Sequence, residues 1–281
     1  MLGYNASMLS TSTSIGFIGA GNMATALVEG LLATGVAASQ LWAADTDVAK
    51  LQTLAAKGVH TSTDNLSIVA ACDVVILAVK PQVMGAVVQP LRAALAAKPV
   101  LLLSVAAGIP CARLAEWSSP KQAIVRCMPN TPALVQAGAS ALYANAVVSA
   151  EQRDIAGAIL QAVGLACWLD QEAQMDAVTA LSGSGPAYFF LLLEAMQAAG
   201  TELGLSAEVA KALALQTAFG AAKLALASDV DAAELRRRVT SPGGTTEAAI
   251  RQFESEHFRD IVARALGKAA ARSAELASSS Q

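Results

Sequence analysis

Short apolar segments alternate with helical patterns through the first half of the chain. Residues 15–19 are continuously apolar up to a closing glycine, as in a buried strand, and residues 22–32 follow with apolar positions at helical spacing. The pattern predicts further strands at 41–44, 74–79, 99–105 and 123–127, and a second helix at 47–57. Strands that are apolar on both faces and alternate with helices predict a doubly wound α/β fold, in which helices cover both sides of a parallel sheet.

From about residue 170 the pattern becomes helical throughout. It predicts helices at 172–181, 186–203, 207–226, 232–239 and 258–276, with no strand among them. The helices at 186–203 and 207–226 are apolar nearly all round, and a helix without a polar face has to be buried on every side. Because a domain of about 110 residues has little interior, we expect these helices to form an obligate subunit interface. The alternative is a monomeric bundle with alanine-rich surfaces.

The change of pattern divides the chain into a disordered tail at 1–14, a sheet domain at 15–169 and a helical domain at 170–281. Of the 281 residues, 54% are hydrophobic and 15% are charged, and the net charge is −3. This composition excludes a disordered chain and disfavours binding of nucleic acid. The sequence also predicts no signal peptide and no membrane-spanning segment.

The cysteines and histidines limit which kinds of disulfide, metal site and catalytic triad the chain can form. Cys72, Cys111, Cys127 and Cys167 form no CxxC pair and lie in apolar segments, which predicts buried, reduced thiols in a cytoplasmic protein. The only two histidines are far apart in sequence. We therefore expect neither a metal site nor a Ser/His/Asp triad.

The loop after the first predicted strand carries a GxGxxA pattern between that strand and a helix. Gly19 permits the tight turn, Gly21 lets the backbone approach a pyrophosphate at the helix N-terminus, and Ala24 keeps helix and strand close. Asp45 ends the second predicted strand, where a carboxylate accepts ribose hydroxyls. This context predicts a Rossmann-type domain that binds a dinucleotide. Asp45 favours NADH over NADPH, because a phosphate on the ribose would be repelled; the alternative is that Asp45 turns outward and caps the following helix.

Two further segments follow predicted strands at the edge where a doubly wound sheet binds its ligands. One contains Ala78, Lys80 and Pro81, and the other contains Asn130. From the residues alone, each segment is either a structural loop end or part of a site, and Lys80 is either a catalytic acid or a surface lysine.

In the helical half, two segments rich in Ser, Gly and Pro precede helices. Helix capping explains much of both the 182–186 and the 240–246 segment. The second segment also places the backbone amides of Gly243 and Gly244 beside the hydroxyls of Ser241, Thr245 and Thr246. This uncharged cradle at a helix N-terminus suits a single carboxylate better than a polyphosphate.

These motifs together resemble one enzyme family. The segments GFIGAGNMA, DVVILAVKPQ, RCMPNTPA, DAVTALSGSGPAYFF and VTSPGGTTEAA are similar to those of pyrroline-5-carboxylate reductase, from residue 15 to about residue 276. The resemblance implies a Rossmann domain followed by a helical domain that interlocks two subunits, with dimers that often gather into larger rings. It also implies hydride transfer from NADPH or NADH to the cyclic imine 1-pyrroline-5-carboxylate, which gives L-proline.

The resemblance further implies roles for individual residues. The pyrophosphate is held by Gly19, Gly21, Asn22 and Met23, and the nicotinamide side is lined by Ala78, Lys80 and Pro81, with Asn130 close by. The substrate carboxylate is bound, from the partner subunit, by Ser241, Gly244, Thr245 and Thr246. Thr179 is implied beside the ring nitrogen, and Asp229 near that threonine.

Two other functions are compatible with parts of the pattern. A related β-hydroxyacid dehydrogenase would share both domains, but the helix lysine expected there is absent. A non-catalytic dinucleotide sensor that dimerises through the helical domain would keep the glycine turn but would not need the cradle at 241–246. Reduction of an imine needs a hydride donor and a proton on nitrogen, and it needs no metal, strong nucleophile or histidine acid.

Overall fold

The structure of the protein is a computed structural model that describes residue 9 and residues 13–279, with side chains as far as residue 277. Of the tail predicted at 1–14, residues 1–8 and 10–12 lie outside the described residues. Thr13 is buried, and the N–H and Oγ of Ser14 donate to Oδ2 of Asp73 at 2.9 and 2.7 Å. The ordered sheet unit therefore begins at or before Thr13, and the tail boundary predicted at residue 14 is wrong by at least two residues.

The first part of the chain builds one eight-stranded sheet. Its strands are β1 (Ile15–Ile18), β2 (Leu41–Ala44), β3 (His60–Ser62), β4 (Val74–Leu77), β5 (Leu101–Ser104), β6 (Ala123–Met128), β7 (Gly138–Ala144) and β8 (Gly164–Trp168). They lie in the order β3-β2-β1-β4-β5-β6-β7-β8, and every pair is parallel except β6 with β7. The predicted doubly wound sheet is confirmed. The pattern missed β3, β7 and β8, which lie towards the two edges and are short, partly exposed or rich in glycine and alanine.

Helices cover both faces of this sheet. They are α1 (Asn22–Ala33), α2 (Val48–Ala55), α3 (Asn65–Ala71), α4 (Met84–Val88), α5 (Arg92–Ala97), α6 (Cys111–Trp117) and α7 (Ala150–Gln161). A further short helix, α8 (Met175–Val178), follows β8. Alternate residues of a strand point to opposite faces. In β4, Ile76 packs with Phe17 on one face and Val75 with Ile18 on the other, all of them fully buried or nearly so. Burial on both faces explains why the strands β1, β2 and β4 consist of apolar residues.

The chain forms two compact units, residues 1–184 with 269–281, and residues 185–268. The boundary after residue 184 lies later than the change of pattern at 170, because α8 and the turn that follows it belong to the sheet unit. The end of the chain also belongs to this unit: buried Ser273 donates through Oγ to Oδ1 of Asp176 at 2.7 Å. The sequence pattern could not reveal this return, since it joins residues 97 positions apart.

The second unit is helical. It contains α9 (Gly185–Glu202), α10 (Ala207–Leu226), α11 (Ala232–Arg238), α12 (Thr245–Ser255) and the beginning of α13 (Phe258–Ser279). Phe189 of α9 is 67% exposed and Phe219 of α10 is 61% exposed. A single chain therefore does not bury the apolar surface of these two helices. By length and composition alone, α10 is also apolar enough to cross a membrane, in contrast to the prediction of no membrane-spanning segment.

Candidate active site

The glycine turn between β1 and α1 has an open side. Gly19 adopts a φ of +100°, and a Cβ added to it would lie 2.7 Å from the carbonyl oxygen of Ala78. At Gly21, by contrast, an added Cβ would meet no atom of the described residues within 4 Å. Packing of the chain therefore requires glycine at the first position but not at the second. The free space at Gly21 is what a ligand approaching the backbone needs.

The N-terminus of α1 is ready to receive an anion. Gly21 is the N-cap and offers no side chain, the first turn contains no acidic residue, and the first intrahelical bond runs from the N–H of Thr25 to the oxygen of Gly21. The amides of Asn22 and Met23 are left without an intrahelical partner, and they point along the positive end of the helix dipole. Met23 packs its side chain against the core, so only its backbone is available to a pyrophosphate. These residues fit the diphosphate of a dinucleotide.

Asp45 binds the glycine turn through its carboxylate. Its Oδ2 accepts the N–H of Ala20 at 2.7 Å, and its Oδ1 accepts the N–H of Asp47 at 2.8 Å. Burial opposes ionisation, but these hydrogen bonds, the nearby Lys50 ammonium and the amide of Thr46 together outweigh it and lower the pKa of Asp45 below its usual value. The cap of α2 is Asp47, which accepts from Ala49. Asp45 is therefore not the helix cap, and each of its oxygens retains a lone pair for another donor.

The polar side chains that follow β4 and β6 differ in whether they already have hydrogen-bond partners. The N–H of Ala78 donates to the oxygen of Ile18, which joins the β4 end to the glycine turn. Lys80 is exposed, and its ammonium makes no hydrogen bond or ion pair with the part of the chain that the structure describes. Asn130 is engaged on both sides of its amide: Oδ1 accepts from the N–H of Ala139 at 2.8 Å, and Nδ2 donates to the oxygen of Ser182 at 3.2 Å. Asn130 thus fixes the turn that follows α8.

That turn, Thr179–Gly183, is a single π-helical turn and carries Thr179. Such turns occur frequently at functional sites. Thr179 donates its hydroxyl hydrogen to the carbonyl oxygen of Met175 at 2.8 Å, which leaves the lone pairs of Oγ1 free to accept. Ser182 donates to the oxygen of Ala139 at 3.1 Å. The turn is therefore held against the start of β7 by hydrogen bonds from both Asn130 and Ser182.

Thr179 lines a cavity of about 370 Å³ within the first unit. The walls come from the segments after β4 and β5, from the turn and its end, and from the last helix, and they include Pro81, Gln82, Ala107, Gly108, Thr179, Ser184, Arg272 and Ser273. The structure thus brings together Pro81 and Thr179, two predicted site residues that are almost a hundred positions apart. Gly108 and Ser273 are additional members that the sequence reasoning missed.

A largely buried ion pair of the first unit has no signal in the sequence pattern. Oε1 of Glu172 accepts from Nη1 of Arg126 at 2.6 Å and from the N–H of Cys111 at 2.7 Å. The Arg126 side chain is only 11% exposed. This contact joins β6, the start of α6 and the segment that leads into α8. No local motif announces it, because its members are 46 and 61 residues apart.

The cradle predicted at 241–246 lies in the second unit, at the N-terminus of α12. Gly243 has a φ of +71°, and the N–H of Gly244 donates to the oxygen of Ser241 at 3.0 Å. The hydroxyls of Ser241, Thr245 and Thr246 are exposed and form no hydrogen bond with any residue described. Gly244 is the N-cap and offers no side chain, so the first amides of α12 have no capping partner.

Two acidic residues of the second unit, Asp229 and Glu247, differ in their hydrogen bonding. Asp229 is exposed in the turn between α10 and α11, and its carboxylate makes no hydrogen bond within the described part of the chain. The side chain of Glu247 folds back onto the cradle, where its Oε2 accepts the N–H of Gly243 at 2.6 Å. Glu247 was not among the predicted site residues, although a glutamate at the third position of a helix is a known signal for such a contact.

Three of the four thiols are buried. Burial raises the pKa of Cys72 and of Cys111 to about 12, and it raises the pKa of fully buried Cys127 as well. Cys167 is exposed, however, so the prediction that all four thiols are buried is wrong. Cys167 lies on β8 at the edge of the sheet, where only every second residue is covered.

Comparison with known proteins identifies both halves of the chain. Residues 172–276 match the family described as pyrroline-5-carboxylate reductase dimerisation, and residues 14–108 match the family described as NADP oxidoreductase, coenzyme F420-dependent. A pyrroline-5-carboxylate reductase of Pseudomonas aeruginosa is 58% identical over 94% of this chain and 96% of its own.

Solved structures agree with this match. A pyrroline-5-carboxylate reductase from Coxiella burnetii superposes with a TM-score of 0.92 at 43% identity, covering 94% of this chain and 98% of the other. The Plasmodium falciparum pyrroline carboxylate reductase, solved with NADP bound, gives a TM-score of 0.85 at 30% identity, covering 95% and 99%. The predicted family and fold class are confirmed. This chain belongs to the pyrroline-5-carboxylate reductase family.

Proposed function

We propose that the protein reduces 1-pyrroline-5-carboxylate to L-proline with NADPH or NADH, the last step of proline biosynthesis. The observation that carries this proposal is the cradle at the start of α12. It offers three hydroxyls without hydrogen-bond partners among the described residues, together with uncapped amides, and the segment 240–246 contains no lysine or arginine. Neutral donors at a helix N-terminus suit one carboxylate, and the proposed substrate carries one carboxylate on a small ring.

The glycine turn is the proposed cofactor site. Gly19, Gly21, Asn22 and Met23 would hold the pyrophosphate through backbone amides and through the open space at Gly21. The segment after β4, with Ala78, Lys80 and Pro81, would lie on the nicotinamide side. When bound, the reduced nicotinamide supplies a hydride to the imine carbon.

Thr179 is the proposed partner of the ring nitrogen. Because its hydroxyl hydrogen is engaged with Met175, Oγ1 is set to accept the N–H of a protonated imine and so to keep the proton on nitrogen. Asn130 supports this role indirectly, since it holds the turn that carries Thr179. We assign Asp229 the role of an acidic group near the same nitrogen, where a negative charge favours the protonated form. Positioning of the reacting carbon can contribute several kcal/mol to such a reaction.

A homodimer is part of the proposal. The exposed apolar residues of α9 and α10 form a surface whose contact with water is unfavourable. This surface lies within the segment that matches the dimerisation family. We propose that α10 is covered by the partner subunit rather than by lipid. In this arrangement the partner supplies Ser241, Gly244, Thr245 and Thr246 to the substrate, and dimers assemble further into a ring. Reduced cysteines fit a cytoplasmic enzyme.

We further propose that NADH is preferred over NADPH. The Asp45 carboxylate is ionised and lies at the end of β2. The nearest following base, Lys50, is paired with Asp47 at 3.4 Å, so acidic groups surround the only base close to this position in sequence. Two unit charges 4 Å apart repel by about 1 kcal/mol in water and by about 4 kcal/mol at an effective dielectric of 20. A preference of about tenfold for NADH corresponds to about 1.4 kcal/mol.

A spectrophotometric assay of cofactor oxidation with 1-pyrroline-5-carboxylate tests the proposal. We expect saturable turnover with the imine and none with 3-hydroxy acids and the oxidised cofactor. Turnover of 3-hydroxy acids would instead identify a β-hydroxyacid dehydrogenase. Tight cofactor binding without turnover of any cyclic imine would identify a dinucleotide sensor.

A further inference from the structure

Glu247 places a fixed negative charge in the cradle. It is the third residue of α12; its Oε2 accepts the N–H of Gly243 at 2.6 Å, and its Oε1 accepts from Nη2 of Arg251 at 2.8 Å. A glutamate at this position usually returns to the amide of the N-cap residue. Here the N-cap is Gly244, and Glu247 reaches one residue further, to the glycine with positive φ. One amide of the cradle is therefore already bound to a carboxylate of the chain itself.

The donors left for a ligand are neutral and lie close to this charge. They are the hydroxyls of Ser241, Thr245 and Thr246 and the first amides of α12. Thr245, Thr246 and these amides lie within about one helical turn, or about 5.4 Å along the axis, of Glu247. Arg251 offsets part of the charge, but its side chain is 76% exposed and is therefore strongly screened by solvent. The N–H of Gly243 and, next, the guanidinium of Arg251 hold the pKa of Glu247 below its usual value.

We propose that Glu247 determines the charge of the ligand that the cradle accepts, so that a monocarboxylate binds and a dianion is rejected. This inference rests on the proposed function, in which the cradle receives the substrate carboxylate. Electrostatic repulsion grows in proportion to the ligand charge, so a dianion is disfavoured about twice as strongly as a monoanion on a free-energy scale. The hydrogen bond to Gly243 is a separate effect, which keeps the turn in place.

Two substitutions separate the charge from the hydrogen bond. Glu247→Gln keeps an oxygen that can accept from Gly243 but removes the charge, whereas Glu247→Ala removes both. Arg251→Gln leaves the charge of Glu247 without its partner. Glu256→Gln is the matched control, because it removes an exposed carboxylate at the other end of the same helix.

The measurement is competitive inhibition against the imine by sulfate and by acetate, at constant ionic strength and saturating cofactor. In Glu247→Gln we expect the inhibition constant of sulfate to fall about tenfold and that of acetate about threefold. In Arg251→Gln both constants rise, and that of sulfate rises more. In Glu247→Ala the KM for the imine rises although the charge is gone, because the turn is no longer held. The control Glu256→Gln behaves like the wild type.

Two patterns of failure can be distinguished. If both anions compete with the imine but Glu247→Gln changes neither constant, or changes both equally, Glu247 only caps the helix and this inference is overturned while the cradle stands. If neither anion competes with the imine in the wild type, the cradle has been misassigned, and this inference falls with the proposed site.

Discussion

Alanine at Gly19 and alanine at Gly21 should have opposite consequences, although the two residues are neighbours in one motif. Gly19 has a φ of +100°, and its added Cβ would lie 2.7 Å from the backbone oxygen of Ala78. Left-handed backbone costs about 1–2 kcal/mol for a residue with a Cβ, and overpacking in a well-packed region typically costs about 1–3 kcal/mol. Since backbone cannot yield as a flexible side chain does, we expect Gly19→Ala to lower the free energy of unfolding by about 2–5 kcal/mol.

Gly21→Ala should leave stability nearly unchanged and damage cofactor binding instead. Gly21 has a φ of −77°, which alanine adopts freely, and the added Cβ meets no described atom. We therefore expect the free energy of unfolding to change by less than about 1 kcal/mol. A methyl group in the space reserved for the pyrophosphate displaces it from the amides of α1. Hydrogen bonds to charged groups contribute about 1.5–3 kcal/mol each. The dissociation constant of the cofactor should therefore rise by about tenfold or more.

Thermal unfolding without cofactor and fluorescence titration with NADH and NADPH measure the two effects. For a unit of this size, about 1 kcal/mol corresponds to about 2–4 °C in Tm, so Gly19→Ala should unfold roughly 4–20 °C below the wild type. Wild-type cofactor affinity in Gly21→Ala would refute the reasoning, because the open side of the turn would then not receive the pyrophosphate. Equal loss of stability in both variants would refute the packing argument.

Four further predictions follow from the site and the surface. Thr246→Ala and Ser241→Ala should each raise the KM for the imine about tenfold or more, from the loss of a hydrogen bond to a carboxylate, and leave the KM for the cofactor nearly unchanged; equal effects on both constants would mean that the cradle is misassigned. Asp45→Asn retains one oxygen acceptor but loses the charge, so the ratio of kcat/KM for NADH to that for NADPH should fall about tenfold, and an unchanged ratio would show that Asp45 does not face the ribose. A thiol reagent at pH 8 should modify one cysteine per native chain, Cys167, and four after unfolding, because burial raises the pKa of thiols such as Cys72; mass spectrometry of the labelled peptides checks this. Light scattering should show no folded, active monomer at micromolar concentration, and detection of one would contradict the role of α9 and α10 as an obligate interface.

The sequence by itself determined the features that depend on neighbours along the chain. Predominantly apolar segments predicted the strands β1, β2, β4, β5 and β6, because a strand covered on both faces is built mainly from apolar residues. The glycine turn at 19–24 and the cradle at 241–246 were also predicted, since each is one contiguous turn whose geometry depends on glycine, on small hydroxyl residues and on the start of a helix. The apolar character of α9 and α10 likewise predicted a surface that needs a partner.

The tertiary structure decided everything that depends on residues far apart in sequence. Pro81 and Gly108 follow the parallel strands β4 and β5, which end at the same edge of the sheet, and long-range packing brings Thr179 to the same cavity. The contact of Glu172 with Arg126, and that of Ser273 with Asp176, join positions 46 and 97 residues apart, and no periodic pattern encodes such pairs. The same holds for the edge strands β3, β7 and β8 and for the exposure of Cys167. Side-chain direction and long-range packing set these features, because residue type fixes what a group can bind, whereas the folded backbone fixes which groups come within reach.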